Sequence, residues 1–309
     1  MRLVFFGSGE FGLPTLQHLA DRHELAAVVT QPDKPAGRGK KLAPTPIGAW
    51  AAEAGLPLRK PESVNTPEVR GEIRGLGAEA FVVIAFGQKL KKRLLEGVFA
   101  INLHASLLPR WRGAAPIHHA LLAGDRETGN SVIALASRMD AGEIYAQSRR
   151  TVDPAWTAGE LHDLLAQEGP ALVEQVLADF AGDALQPRTQ DESQVTLASR
   201  LSKGDGWVSF EGDAREAVQR INGLSPWPAV TATLGDLPLK LLRAKALAGD
   251  AEQSAEPGAL DAEGRVACGT GRVQLLEVQP AGKRAMSFAD FVRGHTLAPD
   301  ACLRSNPPC

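Results

Sequence analysis

Asn102 and His104 stand two apart in the stretch INLHASLLPRWRGAAPI, residues 101–117, and Asp140 opens an Asp-Ala-Gly turn after a later apolar run. On a strand, positions i and i+2 point to the same face. An amide and an imidazole are thus presented side by side. The amide N–H can meet negative charge developing on an oxygen. The imidazole can move a proton near neutral pH, and a carboxylate can orient it and stabilise its cation. Together the three suit acyl transfer to an amine. Charge gathers on a carbonyl oxygen while a proton travels from the incoming nitrogen to the leaving one.

Taken singly, each residue has a plainer reading. A histidine at a strand end is more often a hydrogen-bonded structural residue. Asn102 could cap or turn the chain, and Asp140-Ala-Gly142 could be a tight turn and nothing more. His118 and His119, on the helix after Pro116, read as surface or packing residues. Ser106 lacks a partner set for a nucleophile.

The positioning elements alternate. Apolar runs at 2–6, 24–30, 78–86 and 99–104 read as strands, and so do 131–139 and 143–150. The unbroken run AEAFVVIAF, 78–86, suits a parallel strand covered on both faces. Helices are expected at 14–20, after Pro46, at 116–124 and along 158–180, where Leu161, Leu164, Leu165, Leu172 and Val176 recur at helical spacing. This alternation predicts an α/β, doubly wound, mostly parallel sheet over residues 1–183. In such sheets ligands bind at the carboxyl ends of the strands, and each of the three residues sits at or just beyond one. Polar residues 184–206 read as a linker. Residues 207–309 hold a helix at about 213–223 and several short strands, as in a small OB-like β-barrel.

One motif invites a rival function. Gly7-Ser8-Gly9-Glu10-Phe11-Gly12 fits the glycine fingerprint of NAD(P)-dependent oxidoreductases, between a strand and a helix. The acidic residue that would hold a ribose is missing, because the second strand ends in Thr30-Gln31. The turn is better read as close strand-to-helix packing that lines a cleft.

The bulk of the 309-residue chain narrows the choice further. A net charge of -2, with 44% hydrophobic and 23% charged residues, indicates no general nucleic-acid binder, so any such role needs a local patch. Cys268, Cys302 and Cys309 are scattered and form no CxxC pair, which suggests neither a zinc site nor a disulfide framework. No apolar run approaches the roughly 18 residues of a membrane span, and the expectation is a cytoplasmic monomer with no membrane contact. The local patch is at 31–60. Six cations (Lys34, Arg38, Lys40, Lys41, Arg59, Lys60) stand there against two acids (Asp33, Glu53). It reads either as a solvated loop or as a grip on phosphate.

NLHASLLPRWRGAAPI followed by MDAGEIYAQ resembles the signature of the 10-formyltetrahydrofolate-dependent formyltransferases. The resemblance implies an active site of Asn102, His104 and Asp140 and a folate donor near Phe86, Gly87, Gln88, Ser106, Leu107, Leu108 and Pro109, with no metal. Three further stretches, 31–47, 200–229 and 276–294, are similar to the members that formylate the methionine on initiator tRNA. That likeness implies a tRNA contact through Arg38, Lys40 and Lys41, and a second domain that helps to hold the tRNA. A member acting on an amino-sugar nucleotide is the alternative within the family. A non-catalytic RNA-binding module is the rival outside it.

Overall fold

The computed structural model describes residues 1–36, 39, 41–247 and 255–305. Two compact units divide the chain. One comprises 1–112, 129–150 and 162–196; the other comprises 113–128, 151–161 and 197–309.

A seven-stranded sheet organises the first unit. In spatial order its strands are Ile144–Thr151, Glu127–Ala134, Phe99–His104, Ala80–Ile84, Arg2–Gly7, Glu24–Val29 and Leu58–Arg59. The five strands from Phe99–His104 to Leu58–Arg59 are parallel. All five residues of Ala80–Ile84 are buried, as the unbroken apolar run requires. Burying each of its large side chains contributes about 1.5–3 kcal/mol. Val4, Phe6, Phe81, Val83 and Phe86 share one core cluster. Helices Leu13–Arg22 and Ala158–Ala181 lie where the spacing predicts them.

The strand expected at 131–139 is displaced: it runs Glu127–Ala134, antiparallel to Phe99–His104, with Ile101 opposite Ala134 and His104 opposite Ser131. The chain leaves the ladder at Ala134 and re-enters at Ile144. The Ala134 N–H donates to Glu143 O, 2.9 Å away, which closes the neck of an excursion. Gly142 fits there because a Cβ would lie 1.7 Å from Ala134 O.

Segment 31–46, expected as a loop, contains a two-stranded antiparallel ladder. Lys34–Ala36 pairs with Lys41–Ala43. Arg38 and Lys40 lie outside the described residues.

The second unit carries a six-stranded antiparallel sheet with the helix Ala214–Gly223. Ala214, Ala217, Val218 and Ile221, on one face of that helix, enter the same core as Val230, Leu239, Leu241, Val273 and Phe291. Its edge strands, Arg265–Ala267 and Leu303–Arg304, are not left bare. Leu260 bridges Val266, and Ala259 bridges Cys302, so a short segment joins the two edges. Such closure removes exposed edges, and the curled sheet agrees with the barrel expectation. No helix among the described residues is long and apolar enough to cross a membrane.

Candidate active site

His104 ends its strand and is 6% exposed. Its Nε2 lies 2.8 Å from Trp111 O. A carbonyl only accepts, so Nε2 must carry a hydrogen and donate it. Neutral His104 therefore keeps its free lone pair on Nδ1, and Nδ1 is 3.7 Å from Asp140 Oδ2. A proton arriving on Nδ1 meets a carboxylate. Asn102, one strand repeat earlier, is half-buried between Val83 and Ile133. Its side-chain amide makes no hydrogen bond to a described residue.

The sequence expectation that all three residues share one carboxyl edge needs correcting. Because Glu127–Ala134 runs antiparallel, its carboxyl end lies beside Ile101 rather than His104. Asp140 reaches His104 only because the excursion 135–142 folds back. At Asp140 the backbone is left-handed, with φ +52°. Asp adopts this region more readily than most residues, yet such a conformation costs of order 1–3 kcal/mol and persists where neighbours hold it.

Those neighbours were not legible in the sequence. Gln190 donates both amide hydrogens, to Asp140 O at 2.8 Å and to Gly142 O at 2.7 Å. Its Oε1 accepts from Arg112 Nε and Nη2 at 2.9 and 2.8 Å. Arg112 also pairs with Glu192, which pairs in turn with Arg138. Hydrogen bonds from Arg112 and then Arg138 hold the Glu192 carboxyl down at about 2. Gln190 and Glu192 fall in the stretch that composition reads as a linker. A buried arginine and a glutamine 78 residues away leave no periodic signal.

The Ser106–Pro109 loop, the next part of the predicted folate region, is latched from beneath. Ser131 Oγ donates to Ser106 O at 2.6 Å and accepts from Leu108 N and Gln147 Nε2. Gln147 Nε2 also donates to Leu108 O at 3.0 Å. Ser106 is fully buried and its hydroxyl donates to Arg110 O, so it is committed to the loop rather than poised as a nucleophile. Leu107 and Pro109 are half-buried and Leu108 is buried.

Phe86 is buried, with Phe6 edge-on at 5.5 Å, and its carbonyl accepts from Gln31 Nε2 and Ser8 Oγ. Gly87 is exposed at φ +81°, where a Cβ would lie 2.0 Å from Gln31 Nε2. The Gln88 side chain is occupied by Val64 N and Pro61 O. In the glycine turn, the N–H groups of Ser8 and Gly9 both donate to Ala85 O at 3.2 and 3.3 Å. Donors that a pyrophosphate would use are spent inside the protein, in keeping with a packing turn.

Among the cations of 31–60, Lys60 pairs with Asp33 at 2.6 Å and Arg59 with Glu72. Lys34 donates to Gln31 Oε1. Lys41 is exposed on the short ladder.

A doubly wound sheet with an amide, an imidazole and a carboxylate on this pattern defines a class, and whole-chain comparison agrees. The family model described as Formyl transferase matches residues 1–177, and the model for the Formyl transferase C-terminal domain matches 200–296. The chain belongs to the formyl transferase family. Within it, the methionyl-tRNA formyltransferase of Methylococcus capsulatus (strain Bath) is 42% identical over 304 residues, covering 96% of this chain and 98% of that protein. Among solved structures, the methionyl-tRNA formyltransferase from Clostridium thermocellum matches with a TM-score of 0.57 at 14% identity, over 80% of this chain and 94% of that one. An N-formyltransferase from Helicobacter canadensis, in complex with folinic acid and dTDP-3-aminofucose, matches with a TM-score of 0.66 at 14% identity, over 88% and 98%. At such identities the two structures speak for the fold.

Proposed function

We propose that this enzyme transfers the formyl group of 10-formyltetrahydrofolate to the α-amino group of methionine on initiator tRNA, for translation initiation. One observation carries the reading: Asp140 meets His104 Nδ1 at the end of the strand that also carries an Asn102 amide with no partner among the described residues, in a chain 42% identical to a methionyl-tRNA formyltransferase. The formyl donor supplies a carbonyl carbon attached to a folate nitrogen.

Each residue then has a defined task. Asn102 donates its N–H to the formyl oxygen as the amine nitrogen bonds to the formyl carbon and negative charge develops. Asp140 faces the attacking nitrogen and His104 Nδ1 and helps to take the proton that the nitrogen must lose. The proton that the amine loses passes by way of Asp140 to the lone pair on His104 Nδ1, while Nε2–H stays anchored on Trp111 O, and Nδ1 then gives it to the folate nitrogen as the old carbon–nitrogen bond breaks. One proton leaves the amine and one arrives on the folate, so the exchange balances.

The folate lies against Phe86, Gly87 and Gln88 and the loop Ser106–Pro109. The committed side chains of Gln88 and Ser106 mean that it is met there largely by backbone. Catalysis belongs to residues 1–183, and residues 207–309 help to hold the tRNA. Arg38, Lys40 and Lys41 grip phosphates of its acceptor arm, where Lys41 offers an exposed charge.

The test is incubation with 10-formyltetrahydrofolate and methionyl-tRNA, scoring formyl-methionine, beside a parallel reaction with a nucleotide-linked amino sugar. Formylation of the sugar alone overturns the tRNA assignment.

A further inference from the structure

Asp140 sits on an excursion that its own strand does not hold. Besides the Ala134–Glu143 bond at the neck, one side chain from 50 residues downstream, Gln190, holds the backbone carbonyls of Asp140 and Gly142. Gln190 is 6% exposed and Arg112 is 5% exposed, so neither polar group is at the surface by default. Buried polar groups must be satisfied, and here the satisfaction is complete and directional. Two carbonyls can only accept and a guanidinium can only donate, so the amide of Gln190 has a single allowed orientation. Its nitrogen faces Asp140 O and Gly142 O, and its oxygen faces the two N–H groups of Arg112. Glu192 takes the other edge of the guanidinium, accepting from Nη1 at 3.4 Å and sharing Nη2 at 2.9 Å, and is itself tied to Arg138, two residues before Asp140.

We infer that Gln190, oriented by Arg112, is the positioning residue that sets the Asp140 carboxylate against His104, and so governs turnover without touching either substrate. The inference rests on the proposed role of Asp140. Glutamine is specifically suited to the post. Glutamate there would keep the bond to Arg112 but place an oxygen against two carbonyl oxygens, while alanine would drop both ends.

The experiment measures kcat and KM for 10-formyltetrahydrofolate in Gln190→Ala, Gln190→Glu, Asp140→Asn and the double variant Gln190→Glu/Asp140→Asn of the full chain, with thermal midpoints alongside. A misplacement of about 1 Å can cost roughly 100-fold in rate. Gln190→Glu, which retains its anchor on Arg112 and should fold, is expected to lower kcat by about 10–100-fold with KM nearly unchanged. In the Asp140→Asn background the same change should cost nothing further, because a residue acting only through Asp140 has nothing left to position. A merely structural role would lower turnover by the same factor in both backgrounds, and that result overturns the relay. So does wild-type kcat in Gln190→Glu. Wild-type turnover in Asp140→Asn refutes the assignment of Asp140 itself, and the relay with it.

Discussion

His104 and Asp140 face one another across 3.7 Å but are held by different kinds of structure. His104 lies in a strand hydrogen-bonded on both sides, between Ala80–Ile84 and Glu127–Ala134. The ladder fixes its Cα, and one contact from Nε2 to Trp111 O fixes the ring. Asp140 has no ladder. Its neighbours Arg138 and Met139 are exposed, Met139 at 68%. A buried amide, a glycine neck and a chain of charged groups behind them hold it. A strand positions a group through backbone bonds that any sequence can make. A loop positions one only through particular side chains, and those are individually breakable.

That contrast can be tested from its strongest point downwards. On the strand side, His104→Ala should lower kcat by about 10²–10⁴-fold, the usual worth of general acid–base assistance. Asn102→Ala should lose about 10²–10³-fold through the missing oxyanion donor. Both variants should keep the wild-type thermal midpoint to within a few degrees, since neither ladder depends on these side chains. Steady-state formylation with circular dichroism melts would check both. Near wild-type turnover in the two variants would sink the site assignment.

On the loop side, Gly142→Ala drives a methyl into Ala134 O. Overpacking of this kind costs about 1–3 kcal/mol. The neck should open before the sheet does. The expected signature is a reduced kcat together with faster hydrogen exchange confined to 135–143, read by mass spectrometry. Uniform loss of protection across the sheet would show that loop and strand are not separable.

Smaller effects lie further from the chemistry. Arg38→Ala and Lys40→Ala should weaken tRNA binding and flatten its salt dependence, by about 0.9 in the log–log slope for each phosphate that is no longer neutralised. Folate affinity should be unaffected. Filter binding over a salt series gives the slope; an unchanged slope with unchanged formylation efficiency would make the segment a surface loop only.

The smallest expected effect concerns Glu192. Its folded carboxyl is held at about 2, below the ordinary 4.5, first by the Arg112 bond and then by Arg138. A depressed carboxylate stabilises the fold fully above the unfolded value, and that contribution is lost as pH falls from about 4.5 towards 2. The stability difference between wild type and Glu192→Gln should therefore be largest above pH 5 and shrink on acidification. Urea midpoints at pH 6 and pH 3.5 measure it. Since Glu192 is exposed, solvent screening keeps the difference modest.

Period and apolar run alone write one part of this molecule. The burial of 78–86, the helices near 13–22 and 158–181 and the shared face of Asn102 and His104 all follow from them, because a strand or helix imposes its repeat on the residues that form it. The resemblance to formyltransferases was also legible, since it resides in contiguous motifs. Local patterning could not give the direction of Glu127–Ala134, because an apolar run reads alike parallel or antiparallel. It misplaced the end of that strand for a related reason. Leu135, Ala136 and Met139 are apolar enough to continue it, yet after Leu135, whose N–H still donates to Ala100 O, the chain turns away at the neck marked by the Ala134–Glu143 bond and the Gly142 contact. The meeting of Arg112, Gln190 and Asp140 had no sequence signal at all. Complementarity between one amide, one guanidinium and two carbonyls exists only once the folded chain has brought residues 112, 140, 142 and 190 together.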